Sequence, residues 1–155
     1  DAVILSGSAL RMPGSLNAAP LNARWAGPDA TGFEWLSRDP AVWDSFANDP
    51  LTTDVPLLKL FGPVEAAKLY GRPAKDLAAN GHDIPLLLLV GRDDPVGGPR
   101  SVHKLAEEYR TRSGFTDVTT LVYPDARHEI FNELQQGEVR ADVLSWLDKH
   151  LPPRD

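Results

Sequence analysis

"IPLLLLVGRDDPVGG", residues 84–98, is the stretch on which the fold turns. Six of its first seven residues are apolar and do not alternate, and the run stops abruptly on Gly91-Arg92-Asp93-Asp94-Pro95. Uniform apolarity of this kind suits a strand buried on both faces of a parallel sheet, where helices cover each side. The run is too short for a buried helix. What remains to be explained is why a core strand should end on two carboxylates.

Working outward, residues 2–5 ("AVIL") and 118–123 ("VTTLVY") also read as strands. Between the second and third strands, "SVHKLAEEYRTRSG" sets Val102, Leu105, Ala106 and Tyr109 on one helical face, with Gly114 as the stop. After the third strand, "EVRADVLSWLDKHL" places Val139, Val143, Leu147 and Leu151 on one stripe, with Lys149 and His150 near the C-terminal dipole and Pro152 ending the helix. The order strand, helix, strand, helix predicts an α/β fold with a parallel sheet.

The stretch between the first two strands differs in character, holding three of the four tryptophans and most of the prolines. "RDPAVWDSFANDP" predicts a helix capped by Asp39, with Pro40 in its first turn and an end before Pro50. "DVPLLKLFGPVEAAKLYG" predicts one or two more, broken at Gly62-Pro63 and stopped at Gly71. The domain expectation is therefore residues 1–10 as a core strand and its C-terminal loop, 11–81 as a helical cap or lid insertion, and 82–155 as the C-terminal part of the core.

Composition narrows the function. At 155 residues, 42% hydrophobic and 25% charged, the chain is ordinary globular material. A net charge of -6 with scattered Lys and Arg argues against nucleic acid as partner. The absence of Cys removes disulfides, thiolate metal sites and a cysteine nucleophile. The apolar runs are far too short to span a bilayer, so no stable membrane insertion is expected.

Loops at the carboxyl ends of parallel strands are where open α/β sheets build their sites. Two such loops carry titratable groups: "GRDDPVGG" with Asp93 and Asp94, and "PDARHEIFNE" with Asp125, His128 and Glu129. If their strands are neighbours, Asp94 and His128 reach one edge together. An Asp that accepts a hydrogen bond from one imidazole nitrogen leaves the other free as a base toward a hydroxyl. An Asp before Pro is also an ordinary turn or cap residue, and a lone loop His is more often structural than catalytic. Asp93 reads as a solvated or turn residue. His82, His103 and His150 read as surface or capping residues. "HEIFNE" is not His-Glu-x-x-His, so no metal is expected. Phe33, Trp35, Trp43, Phe46 and Phe61 read first as packing, with some expected to face a substrate.

"DAVILSGSA", "FEWLSRDPA", "PLLLLVGRDDPVG" and "DVTTLVYPDARHEIFNE" followed by "VRADVLSWLDKHL" closely resemble the C-terminal half of bacterial α/β-hydrolases of the monoacylglycerol lipase and lysophospholipase type. The resemblance covers nearly the whole chain, in order. It implies that Asp94, ahead of Pro95-Val96-Gly97, is the triad acid and that His128 is the triad base. It further implies a carboxylic-ester hydrolase acting on a small-molecule or lipid ester, needing no cofactor, with Ser8 and Val96 on the substrate wall. Residues 11–81 become its cap, and a cytoplasmic location is expected. The family's nucleophile stands in a Gly-x-Ser-x-Gly elbow, and no serine here has Gly two positions before it. The resemblance therefore places the nucleophile and oxyanion donors upstream of Asp1, in an N-terminal half that is the expected partner, as a separate chain or a missing segment. Other chemistries of the fold (dehalogenase, epoxide hydrolase, perhydrolase) and a non-catalytic binding fragment stay open as alternatives.

Overall fold

The computed structural model describes residues 1–12, 19–53, 55 and 57–151. Three strands, β1 (Val3–Ser6), β2 (Leu86–Gly91) and β3 (Val118–Tyr123), form one parallel sheet in the order β1-β2-β3. Val3 is level with Leu86, and Leu86 with Val118, so all three strands finish at one edge. Every residue of β2 is buried, as its unbroken apolar run requires.

β1 and β2 begin later than expected, at Val3 and Leu86. Pro85 has no N–H to give a ladder; its carbonyl accepts from Val3, and Leu86 is the first residue of β2 to donate, to Asp117. Helix α3 (Gly98–Thr111, the third helix of the chain) starts three residues ahead of the predicted Ser101, because Pro99 suits a first turn that needs no N–H donor. Its predicted face is the buried one: Val102, Leu105 and Ala106 pack with Leu86, Leu88 and Val90, and Tyr109 covers them.

The other sheet face is closed by α4 (Gln136–His150), where Val139 and Trp146 join Leu87, Leu89, Tyr123 and Ile130. Here the predicted stripe needs correcting. Leu151 lies past the helix, extended and exposed, while Trp146 takes a core position beside Val143 and Leu147. A residue before proline is held out of the helical region, which explains where α4 stops.

Between β1 and β2 the chain forms α1 (Pro40–Asn48) and α2 (Leu57–Ala67). Asp39 caps α1, accepting from Ala41 N at 3.0 Å. α2 breaks at Gly62, whose φ of 76° is outside the helical region, and it ends at Ala67, short of the expected stop at Gly71. Asp54 and Pro56, the start of the predicted second helix, lie outside the described residues. Three single turns complete the described elements: Ala78–His82, which holds the turn signal Asn80-Gly81, and Ala23–Trp25 and Ile130–Asn132, which had no strong sequence signal. Among the described residues, no helix is long and apolar enough to cross a membrane.

Candidate active site

β2 and β3 deliver their loops side by side. Past β2, Arg92 N donates to the Tyr123 carbonyl and Asp93 N to that of Ala126. Gly91 makes this approach possible: a Cβ there would lie 2.0 Å from the Arg127 carbonyl oxygen and 2.4 Å from that of Ala126, both backbone atoms. The loops meet at Asp94 and His128, where Asp94 Oδ2 stands 3.0 Å from His128 Nδ1.

The Asp94 side chain is 1% exposed, and its second oxygen accepts from Val96 N at 2.8 Å. This turn fixes the carboxylate against a rigid strand end. An ionised carboxylate only accepts, so the proton of a neutral His128 sits on Nδ1 and Nε2 is left as the basic nitrogen. Nε2 is bonded to no described residue, and the side chain is 21% exposed. Burial disfavours the imidazolium, but the hydrogen bond and charge of Asp94, with Glu129 adding, outweigh it; Arg11 opposes them. The net result is a His128 pKa raised above 6.5.

Two residues confine the ring: Gly7, which the sequence did not single out, and Trp35, which it read first as packing. Gly7, at φ 59° just past β1, would place a Cβ 2.9 Å from His128 Cε1, so the imidazole occupies the space a side chain would need. A glycine directly after a strand is a signal for such close approach. On another side the Trp35 ring lies 5.1 Å from the imidazole centroid, tilted by 42°, and the Trp35 carbonyl accepts from His128 N at 3.4 Å. No local pattern marks this contact, which spans most of the chain.

The other candidates are placed as follows. Ser8 lines a cleft of about 430 Å³ with Ala9, Arg11, Lys68, Tyr70 and Arg72. Val96 is half-buried and contributes its amide to the Asp94 turn. Asp93 is more than a turn residue: Oδ1 pairs with Arg24 at 3.0 Å, tying the Ala23–Trp25 turn to the acid loop. Asp125 is exposed at φ 54° and meets neither Asp94 nor His128 in a hydrogen bond. His82 and His103 are exposed as expected, but His150 is not. Its side chain is 9% exposed and stacked on Trp146 at 4.3 Å, with Nδ1 bonded to the Trp146 carbonyl at 2.6 Å and Nε2 3.1 Å from Asp117 Oδ2. Of the aromatic residues, Trp43 approaches the Arg127 guanidinium at 5.9 Å, and Phe33 packs edge-on to Phe46 at 5.1 Å.

Comparison with known proteins bears on the same region. Residues 1–135 match the Hydrolase_4 family, described as serine aminopeptidase, S33. A monoacylglycerol lipase from Mycolicibacterium smegmatis is 35% identical over 129 residues, 75% of this chain and 39% of that protein. A soluble variant of monoglyceride lipase from Saccharomyces cerevisiae, solved with a substrate analog, aligns at TM-score 0.65 and 25% identity over 97% of this chain and 54% of that one. A thermostable carboxyl esterase from Bacillus coagulans, solved with glycerol, aligns at TM-score 0.72 and 23% identity over 96% of this chain and 56% of that one, a likeness of fold. The chain thus spans about two fifths of its curated relative and little more than half of these structures. The family match across 135 of 155 residues, on a parallel sheet with helices on both faces, establishes that this chain belongs to the Hydrolase_4 family and has the α/β-hydrolase fold.

Proposed function

We propose that this chain supplies the acid and base of a carboxylic-ester hydrolase of the monoacylglycerol lipase type. The observation that carries this reading is the 3.0 Å contact between the buried Asp94 carboxylate and His128 Nδ1, at the edge where β2 and β3 end together. His128 Nε2 takes the proton of a serine hydroxyl as its oxygen attacks the ester carbonyl, then returns that proton to the departing alcohol. Water repeats the sequence, freeing the acid. Asp94 holds the tautomer and stabilises the imidazolium.

The serine and oxyanion donors come from a preceding N-terminal half, since no serine of this chain stands in a Gly-x-Ser-x-Gly elbow. Ser8 and Val96 lie on the substrate wall, and residues 11–81 form the cap over it. The 35% identity to a monoacylglycerol lipase favours ester over peptide substrates, although the family's description is of an aminopeptidase. A fluorophosphonate probe on the intact hydrolase should label a serine outside this chain, and the enzyme should release fatty acid from a monoacylglycerol faster than amine from an aminoacyl p-nitroanilide. Labelling within this chain, or no labelling at all, would sink the proposal. Faster release of amine would redirect it to peptides.

A further inference from the structure

The loop carrying His128 runs beside residues 34–38, and what joins the two is polar. Glu129 N donates to the Leu36 carbonyl at 2.7 Å, and Ser37 Oγ donates to the Asn132 carbonyl at 3.0 Å. The Arg127 guanidinium donates to the carbonyls of Glu34 and Ser37 while lying 4.3 Å from the Trp25 ring. Beneath these contacts sits Glu133, 0% exposed. A carboxylate withdrawn from water is costly unless its lone pairs are filled. Backbone amides from both segments fill these: Arg127 N at 2.8 Å and Arg38 N at 3.2 Å, with Leu134 N at 3.3 Å. Arg38 Nε adds a longer contact at 3.4 Å.

One carboxyl thus joins the residue immediately before His128 to a residue three beyond Trp35, whose ring walls the imidazole. We propose that Glu133 is a positioning residue: by gathering the amides of Arg127 and Arg38 it sets the distance between His128 and the Trp35 wall, and with it the aim of the imidazole. The inference rests on the reading of His128 as the base. An interaction one residue from a proton-transferring group matters to the reaction because a misplacement of about 1 Å can cost about 10²-fold in rate.

The test is Glu133→Gln in the intact hydrolase, which keeps the volume but turns one acceptor into a donor facing N–H groups. With p-nitrophenyl butyrate as substrate, kcat should fall about 10²-fold, KM should change little, and the acid limb of kcat/KM should move to lower pH as the Asp94 contact slackens. Glu133→Asp, which keeps the charge but withdraws it by a methylene, should show the same split in milder form. Val139→Ala, in the core beneath α4, provides the control: a lower melting temperature with kcat and acid limb in place. If the Glu133 variants lose only melting temperature, as the control does, the proposal is overturned. It is equally overturned if neither variant folds, since the carboxyl then serves the fold and not the aim of the ring. Unimpaired turnover in His128→Ala would instead overturn the underlying reading of the base.

Discussion

From Leu86 to Gly91 every residue is buried, whereas from 40 to 81 no described residue is. The two stretches are held in place by different physics. The sheet region is fixed by apolar area removed from water on both of its faces, at about 1.5–3 kcal/mol for each fully buried aliphatic side chain. The excursion between β1 and β2 is strapped down at its ends by polar contacts. At one end are the hydrogen bonds of residues 34–38 to the His128 loop. At the other, Arg72 makes a two-pronged contact with Glu108 at 2.6 and 2.7 Å, Asp76 N donates to the Arg112 carbonyl, and Ser113 Oγ donates to that of Ala74. Between the straps, Leu58, Phe61 and Val64 are 55% to 70% exposed. A hydrogen bond places a group more tightly than apolar contact does, and the strap at 34–38 lies where the candidate base must be aimed.

The largest expected effect falls where the two regions meet. In the intact hydrolase, His128→Ala or Asp94→Asn should lower ester turnover by about 10³-fold or more while leaving the melting temperature nearly unmoved. Near-normal turnover in either variant would reduce the Asp94–His128 contact to a loop clasp.

Next in size is the contrast in burial itself. Leu88→Ala removes a side chain 1% exposed in the centre of β2 and should cost about 2–5 kcal/mol in urea unfolding. Leu58→Ala, at 60% exposure on α2, should stay within about 0.5 kcal/mol. A comparable loss at both positions would break the comparison, because α2 would then be packed against something in the intact protein.

How much of this was legible follows the same division. β2 could be read because its constraint is local: only a strand covered on both faces has a use for Leu86 to Val90 in a row. Asp94 and His128 could be paired because parallel strands end at one edge, and the resemblance to monoacylglycerol lipases named those two positions. The link from Glu133 to Arg38 and the place of Trp35 against His128 were not legible, since each contact spans more than 90 residues and leaves no spacing to find. Trp146 was missed because a strict stripe favoured Leu151: Pro152 was read as ending the helix after Leu151, whereas it already holds Leu151 out of the helical region. His150 does bond a last-turn carbonyl, that of Trp146, as a capping residue would, but its burial was not legible because Asp117 comes to it from another element.

A smaller effect separates rate from stability at His128. Catalysis by the neutral imidazole should fall about tenfold per pH unit below a pKa that lies above 6.5. A histidine whose pKa is raised on folding contributes stability that is fully present below its unfolded value and is lost as pH rises through the folded one. The acid limb of kcat/KM should therefore lie above 6.5, while the contribution of this residue to stability fades over the same window. Asp94→Asn should flatten the stability trend between that pH and the alkaline side, and an unchanged trend would assign it to other groups.

The smallest effect belongs to the strap at 34–38. Burial pushes the Glu34 carboxyl up, but donors from Thr31, Asn22 and nearby backbone more than offset it, leaving a pKa of about 2 against 4.5. Thr31 N and Oγ1 reach Oε1 at 2.6 and 3.0 Å, and Asn22 Nδ2 reaches Oε2 at 2.6 Å. Asn22 in turn accepts from Trp35 N at 2.9 Å, so the carboxylate also steadies the wall of the site. For a carboxyl depressed on folding, the stabilisation is present above 4.5 and lost as pH falls through about 2. Glu34→Gln should cost about 1–3 kcal/mol at neutral pH, and the unfolding midpoints of variant and parent should converge as the solution is acidified toward that value. A gap that stays constant with pH would mean that the shape of the side chain, and not its charge, holds the strap.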